Sequence, residues 1–175
     1  MTLLFEPEET NPLITPAAAV AVCTVIENNF GITAQIKWVN DIFLDGKKVC
    51  GILSETFISK GKQLISVGIG INLTTDSFPE SLPNAASLGI DCDKTLLAQK
   101  ISEAFLALCD SERSEYILKE YEKRLFIIGK TVGFIENGIS YSAKVIGINE
   151  YCNLVVELPD KTEKVLSSGE ISIIL

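Results

Sequence analysis

The sequence predicts an α+β fold in two parts, a sheet covered by helices and then a small β-barrel. Strand patterns with two distinct faces occupy much of residues 36–73, and helical patterns lie before and after them. After Gly129 the apolar runs become short and are separated by turn residues, which is typical of a small barrel. We therefore predict a first domain over residues 1–128 and a second over residues 129–175.

Length and charge limit the classes of protein to which the chain can belong. With 175 residues, 47% of them hydrophobic, it can bury a core, and no apolar run is long enough to span a bilayer. The first residues lack the basic region of a secretory signal. A net charge of −8 opposes binding to nucleic acid or anionic lipid, so we expect neither as a partner.

The cysteines indicate a reducing compartment, and we predict a cytoplasmic location. The chain has five cysteines with no C-x-x-C spacing, and it has no histidine. A zinc site and a Cys–His nucleophile pair are therefore excluded, and no metal ligands are assigned. We expect free and mostly buried thiols.

Taken in order, the first elements are a strand over residues 1–5 and a helix over residues 16–29. Thr15 is predicted to cap this helix ahead of Pro16, and Gly31 is placed to end it. The helix is apolar nearly all round, so we expect it to be buried.

A hairpin follows. Residues 35–41 read as one strand with Ile36 and Trp38 on its apolar face, which assigns Trp38 to the core. Residues 45–46 (DG) form the turn, and residues 48–55 form the return strand. A turn at Gly61 leads to the next strand.

The strand over residues 62–73 has two chemically opposite faces. Its apolar face carries Ile65, Val67, Ile69, Ile71 and Leu73, and its other face carries Ser66, Gly68, Gly70 and Asn72. Glycine in a strand costs stability and often marks close approach by a ligand or another backbone. With Lys37 nearby, this face predicts an anion pocket. The alternatives are a solvated lysine and glycines that serve a bulge or helix packing.

The rest of the chain supplies a loop, two helices and the barrel. Residues 74–84 form a loop that could act as a mobile lid. Asp93 is predicted to cap a helix over residues 94–109, and a second helix spans residues 111–125. The five strands of the barrel are predicted at residues 131–136, 141–148, 154–158, 162–166 and 171–174.

Five segments of the chain, in order, resemble the biotin–protein ligase family. Residues 36–42 (IKWVNDI) and 46–55 (GKKVCGILSE) resemble its K-W-P-N-D and K-x-x-G-I-L-x-E signature. Residues 67–73 (VGIGINL) resemble its G-x-G-I-N strand, residues 85–88 (AASL) its A-T-S-L segment, and residues 168–172 (SGEIS) its G-E-I-S run.

The resemblance implies a mixed sheet with helices of the biotin/lipoate ligase type and an SH3-like C-terminal domain. It also implies a nucleotide-binding ligase that modifies proteins in two steps. The carboxylate of biotin attacks the α-phosphate of ATP to form biotinyl-AMP and pyrophosphate, with Mg²⁺ present. A lysine of a biotin carboxyl carrier domain then attacks the mixed anhydride.

The resemblance also implies roles for individual residues. Lys37 is the predicted catalytic residue, because an ammonium group can offset the repulsion between a carboxylate and a phosphate. The substrate-binding residues are predicted to be Lys37, Gly51, Gly68, Gly70 and Asn72, with the Asn72 amide facing adenine. Asn40 and Asp41 are predicted to support the site, with Asp41 orienting the lysine or a metal ion.

The chain departs from the family pattern in ways that affect the expected activity. It has no Gly-Arg-Gly-Arg-x-Gly-Arg loop, and Val39, Ala86 and Ile174 stand where proline, threonine and, in some members, arginine are found. It resembles the C-terminal two-thirds of the enzyme. We therefore expect the chain alone to ligate biotin poorly or not at all, and to self-associate through an uncovered sheet edge or apolar patch.

Two other functions stay open at this point. The chain could be a non-catalytic remnant, or a module that binds a nucleotide or docks a carrier protein. It could also be a lipoate-type ligase, although the C-terminal barrel with its G-E-I-S run favours biotin.

Overall fold

Two five-stranded antiparallel sheets and three α-helices make up the computed structural model, which describes residues 1–7, 11–169 and 171–173 (Ser111 by its backbone alone). The predictions for Glu170 and Ile174 lie outside these residues. In chain order the elements are β1 (Thr2–Phe5), α1 (Ile14–Phe30), β2 (Gln35–Lys37), β3 (Asp41–Leu44), β4 (Lys47–Ser59), β5 (Lys62–Ile71), α2 (Lys94–Leu108), α3 (Ser114–Arg124), β6 (Thr131–Glu136), β7 (Ile139–Ile148), β8 (Leu154–Glu157), β9 (Glu163–Leu166) and β10 (Ile171–Ile173).

The first sheet has the order β1-β5-β4-β3-β2, built on two hairpins. Both hairpin turns place two residues at positive φ, Asp45-Gly46 at 50° and 76° and Lys60-Gly61 at 51° and 78°. Such turns match the twist of the strands that they join, and glycine at the second position adopts this φ without strain. The turns predicted at 45–46 and 61 are therefore confirmed.

The single strand predicted over residues 35–41 is wrong, because a turn at residues 38–40 divides it into β2 and β3. The peptide bond between Trp38 and Val39 is cis. The polar groups of the turn do not form the regular hydrogen bonds of a strand. Val39 O accepts a hydrogen bond from the Tyr121 hydroxyl, and Asn40 Nδ2 donates one to Ile52 O on β4. Trp38 is buried, as predicted.

Helix α1 is the centre of the core, and its burial is confirmed. It packs against α2, α3 and the inner face of β4, and Gly31 ends it in the left-handed conformation as predicted. The predicted cap at Thr15 is wrong, since the helix begins at Ile14 after Leu13. The Thr15 hydroxyl instead donates to Ser54 Oγ at 2.9 Å and so ties the helix to β4.

The remaining helices follow the sequence closely. Asp93 caps α2 as predicted, with its carboxylate accepting hydrogen bonds from the Thr95 and Leu96 amides. The helix predicted over residues 111–125 begins as a 3₁₀ turn, and α3 proper starts at Ser114. No helix among the described residues is both long enough and apolar enough to cross a membrane.

The second sheet has the order β10-β6-β7-β8-β9, and its strands lie within about two residues of the predicted ones. The α+β fold class is confirmed, and the second sheet is the part that was predicted to be SH3-like. Parallel pairing among the described residues is limited to two isolated bridges, Ile36 with Leu125 and Lys48 with Ala85. The division of the chain at residue 128 stays a prediction.

A partly buried ion cluster joins α3 to α1 and yields a prediction about stability. Arg124 is only 9% exposed and bonds to Glu120 and, at 2.9 Å, to Glu27. The hydrogen bond from Arg124 holds the pKa of Glu120 below its usual value. A carboxylate with a lowered pKa stabilises the fold above the unfolded-state pKa, and this stabilisation is lost as the pH falls through the folded-state pKa.

We expect Glu120→Gln to lower the free energy of unfolding by about 1–2 kcal/mol at pH 7, because a charged hydrogen bond is lost. The gap between wild type and variant should narrow below about pH 4, where the unfolded carboxyl is already protonated. Urea denaturation at pH 7 and pH 3.5 measures both values. Glu115→Gln, an exposed position on the same helix, is the control. A gap that is equal at the two pH values would contradict the prediction.

Candidate functional site

A cleft lies on the outer face of the first sheet, where glycines of adjacent strands pair. Gly51 on β4 pairs with Gly70 on β5, and the next pair on this face is Leu53 with Gly68. The cleft has a volume of about 420 Å³, within the range of small-molecule sites. It is lined by Met1, Asn40, Asp41, Lys48, Gly51, Ile52, Leu53, Gly68, Ile69 and Gly70.

The floor of the cleft is bare backbone. A β-carbon added at Gly68 would meet only the Leu53 carbonyl oxygen, at 3.7 Å, and one at Gly70 only the Gly51 carbonyl oxygen, at 3.9 Å. Both are ordinary van der Waals distances, so the space above these glycines is open. A ligand can therefore approach the strands more closely here than over any larger residue.

Lys48 is the one lysine among the described residues that line the cleft. Its Nζ lies 2.6 Å from Asp41 Oδ1, and both residues line the cleft. A β-carbon at position 51 would lie 3.3 Å from Lys48 Cε, so Gly51 leaves room for the lysine side chain to reach Asp41. The Lys48 main chain is fixed by Asn84 O, which accepts from its amide, and by Ala86, whose amide donates to its carbonyl.

Lys48 was not among the site residues predicted from the sequence, and a β-bulge explains why. Strict alternation from Gly51 places Lys48 on the opposite face of β4. In the structure Ile42 pairs with Cys50 and Phe43 with Lys48, so Val49 is an extra residue between the two pairs. A bulge of this kind turns the following side chain to the other face. The signal available in the sequence was the lysine at the start of the K-x-x-G-I-L-x-E run.

Lys37 lies on the same face of the sheet but outside the cleft lining. It pairs with Asp41, which pairs with Gly51, so the three residues form one row across β2, β3 and β4. The Lys37 ammonium lies 5.9 Å from the centre of the Phe43 ring. Its catalytic role stays a prediction, and the ion pair with Asp41 is made by Lys48.

The other predicted residues divide between the cleft and its border. Gly51, Gly68 and Gly70 line the cleft together with Asn40 and Asp41. Asn72 lies beyond the lining, and its Nδ2 donates to Ala86 O at 3.1 Å, which holds residues 84–88 beside β4 and β5. The substrate-binding roles of these residues remain predictions, as does the lid role of residues 74–84.

Cys50 is a poor candidate for a nucleophile beside the cleft, and the described residues offer no cluster of metal ligands. Cys50 precedes Gly51 but is buried on the inner face, where burial raises the pKa of its thiol to about 12. It therefore stays protonated at neutral pH and is a poor nucleophile. In the part of the chain that the structure describes, no three His, Cys, Asp or Glu side chains are grouped to hold a metal ion.

Known proteins match both parts of the chain. Residues 2–72 match the biotin/lipoate A/B protein ligase family, and residues 127–173 match the biotin protein ligase C-terminal domain. The bifunctional ligase/repressor BirA of Bacillus spizizenii is 28% identical over 182 aligned positions, which cover 96% of this chain and 56% of BirA. The chain thus spans little more than half the length of this curated relative.

Two solved structures share the fold. The apo biotin protein ligase of Aquifex aeolicus superposes with a TM-score of 0.82 at 24% identity, over 99% of this chain and 80% of the ligase. The same ligase in complex with biotin and ATP gives a TM-score of 0.78 at 27% identity, over 99% of this chain and 76% of the ligase. From the two matched family models, the BirA relative and this shared fold, the chain is a member of the biotin–protein ligase family.

Proposed function

We propose that the cleft holds biotin and ATP during the formation of biotinyl-AMP, and that biotin is then transferred to a lysine of a carrier domain. One observation carries the proposal: the open backbone of β5 at Gly68 and Gly70 lies beside the Lys48 ammonium, which sits over Gly51 of β4. The glycines leave space for a ligand against the strands, and the ammonium meets the charge requirement of the reaction. The ligase of known structure that binds biotin and ATP has the same fold.

The reaction joins two anions, and this defines the task of the site. A carboxylate oxygen of biotin forms a bond to the α-phosphorus of ATP, and the bond from that phosphorus to the pyrophosphate oxygen breaks. A cation placed between the two reactants lowers the cost of their approach and stabilises the charge in the transition state. We assign this role to Lys48, whose side chain is 44% exposed and so has room to turn from Asp41 towards a ligand.

Asp41 holds Lys48 in place before the substrates bind. At 2.6 Å the two groups form a charge-assisted hydrogen bond, which limits the positions that the flexible lysine can adopt. Asp41 is also the one carboxylate among the described lining residues. We propose that Asp41 would hold a Mg²⁺ ion that enters with ATP, since Mg²⁺ is often held by one carboxylate together with substrate phosphates.

The acceptor and the location complete the proposal. In the second step the amine of an acceptor lysine attacks the acyl carbon of biotinyl-AMP, and AMP leaves. We propose a biotin carboxyl carrier domain as the acceptor, in line with the biotin ligases that the chain resembles. The five cysteines are free, which supports a reducing, cytoplasmic location.

Calorimetry tests the proposed ligands directly. The chain is titrated with biotin, with ATP and with a non-hydrolysable analogue of biotinyl-AMP. We expect the analogue to bind more tightly than either substrate alone, because one molecule carries both the biotin group and the adenylate group. Heat with ATP alone would favour a nucleotide-binding module, and no heat with any of the three would favour a non-catalytic remnant.

We expect the chain of residues 1–175 to biotinylate an acceptor domain poorly or not at all. It carries no Gly-Arg-Gly-Arg-x-Gly-Arg run, so the arginines that the family places over the biotinyl-adenylate are not supplied by these residues. Without that cover, water reaches the mixed anhydride and charge stabilisation is weaker. Incubation with biotin, ATP, Mg²⁺ and a carrier domain, followed by mass spectrometry, measures the yield. Rapid and complete biotinylation would contradict this expectation.

We also propose that the chain self-associates through the edge strand β1 and the exposed apolar residues on the outer face of the first sheet. Strand β1 is the edge of this sheet, and its Leu4 is 61% exposed. Leu53 and Phe57 on β4 point to the same face and are 60% and 42% exposed. An unpaired edge beside an apolar face favours pairing with a second chain.

Light scattering over a range of concentrations measures this association. We expect a mass above that of the monomer, and a lower mass for Leu4→Lys, which places a charge on the edge strand. Leu96→Lys, at an exposed leucine on α2, is the control and should leave the mass unchanged. A strictly monomeric mass at high concentration would contradict the proposal.

A further inference from the structure

The geometry points to Trp38 and Tyr121 as positioning residues, through which the C-terminal sheet and helix α3 set the place of the Asp41–Lys48 pair. Both residues lie outside the cleft lining. Each makes a hydrogen bond, buried for Trp38 and partly buried for Tyr121, that ties the turn at residues 38–40 to another part of the fold. The inference rests on the proposed function, because it concerns how the cleft of that function is held in shape.

The first tie joins the turn to the second sheet. Trp38 Nε1 donates to the Cys152 carbonyl oxygen at 2.9 Å, and both residues are buried. Cys152 belongs to the connection between β7 and β8, which Asn149 organises. The Asn149 carboxamide oxygen accepts from the Tyr151 and Asn153 amides, and its carbonyl accepts from the Cys152 amide. The acceptor for the indole is therefore presented by a turn that is itself fixed.

The second tie joins the turn to helix α3. The Tyr121 hydroxyl donates to the Val39 carbonyl oxygen at 2.9 Å, and Tyr121 is completely buried. Burial raises the pKa of this phenol well above its usual value, so the hydroxyl remains a donor at all working pH values. Removing the hydroxyl leaves the half-buried Val39 carbonyl with one hydrogen bond fewer, which destabilises the turn in its present position.

Asn40 and Asp41 connect the turn to the cleft, so the position of the turn determines the position of the Asp41 carboxylate. Asn40 forms a reciprocal pair with Ile52, in which Asn40 Nδ2 donates to Ile52 O and the Ile52 amide donates to Asn40 O at 3.0 Å. Asp41 follows at once and holds Lys48. Four successive residues, 38–41, therefore bond to three other parts of the fold: the β7–β8 connection, helix α3 and strand β4. A shift of the turn cannot occur without moving the Asp41 carboxylate or breaking these bonds.

A packing role alone for Trp38 and Tyr121 predicts a different outcome from a positioning role. If the two side chains only fill the core, the loss of a hydrogen bond lowers stability throughout the fold. If they position the turn, the change concentrates at Asn40, Asp41 and Ile52 and alters ligand affinity. The chain offers a matched pair of variants, since Tyr121 is buried and Tyr116, on the same helix, is 45% exposed.

Hydrogen exchange of the Ile52 amide, followed by NMR, measures the turn without any ligand. We expect Tyr121→Phe to speed exchange at Ile52 about tenfold, the effect of losing one hydrogen bond. Tyr116→Phe should leave it unchanged, and amides of the β6–β7 pair serve as the internal reference. Asn149→Ala removes the side-chain hydrogen bonds that fix the turn containing Cys152. It should therefore weaken the bond from Trp38 and, like Tyr121→Phe, speed exchange at Ile52. Equal Ile52 exchange in wild type and both of these variants would overturn the inference.

Affinity for the biotinyl-AMP analogue measures the consequence for the site. The fluorescence of Trp38, the only tryptophan of the chain, reports on binding in wild type and in the tyrosine variants. We expect the affinity to fall about five- to tenfold in Tyr121→Phe and to stay unchanged in Tyr116→Phe. If Tyr121→Phe binds as wild type does, the inference is wrong. If wild type itself does not bind, the proposed function fails, and the exchange at Ile52 alone decides the inference.

Discussion

Replacing Gly70 with valine is expected to remove binding of the biotinyl-AMP analogue while leaving the fold intact. A β-carbon at this position meets no atom closer than the Gly51 carbonyl oxygen at 3.9 Å, so the protein itself accepts the side chain. The branched methyl groups then occupy the space above the strand, which the ligand needs. Valine also suits a strand better than glycine, so stability should be equal or slightly higher.

The expected fall in affinity is at least about a hundredfold, because a displacement of about 1 Å is already costly at a site that holds reacting groups in register. Calorimetry measures the affinity, and thermal unfolding measures the fold. Ser66→Val is the matched control, since Ser66 lies on the same strand and face but outside the cleft lining. If Gly70→Val binds as well as Ser66→Val does, the ligand does not lie on the glycine floor.

A second large effect separates the two candidate lysines. Lys48→Met keeps the length of the side chain and removes its charge, so the ligand loses its hydrogen bond to an ammonium group. We expect the affinity for the biotinyl-AMP analogue to fall about ten- to hundredfold, as is typical when a charged hydrogen bond is lost. Lys37→Met should change it less than about threefold, because the Lys37 ammonium lies over the Phe43 ring and outside the lining.

Calorimetry on the two variants is the appropriate measurement, since each keeps the methylene stem of the lysine it replaces. Asp41→Asn provides a further check, because it frees Lys48 without removing its charge. A large loss in Lys37→Met with none in Lys48→Met would return the catalytic role to the residue predicted from the sequence. It would also show that binding moves the Lys37 side chain away from Phe43.

The face of the sheet that carries the cleft could be predicted from the sequence. Lys48, the lysine that lines the cleft, could not. Alternation along residues 62–73 places Gly68 and Gly70 opposite a buried apolar face, and the structure has them so. Alternation fails on β4, where the bulge at Val49 turns Lys48 towards the glycines. A bulge depends on pairing with the neighbouring strand, and a single strand pattern contains no record of that pairing.

The turn at residues 38–40 was hidden for a related reason. The pattern of residues 35–41 is typical of one strand, and Trp38 is indeed buried as that pattern predicts. The strand is interrupted because the partners of Trp38 and Val39 are Cys152 and Tyr121, more than 80 positions further along the chain. Hydrogen bonds at such separations override local preference, and nothing within a short window of sequence reports them.

Backbone chemical shifts of the glycines test whether the ligand lies on the glycine floor of the cleft. The chain is labelled with ¹⁵N, and its amide spectrum is recorded as the biotinyl-AMP analogue is added. We expect the largest shifts at Gly51, Gly68 and Gly70, smaller shifts at Asp41 and Lys48, and little change in β6–β10. Saturable binding with unshifted glycine amides, or with the largest shifts on another surface, would contradict this expectation.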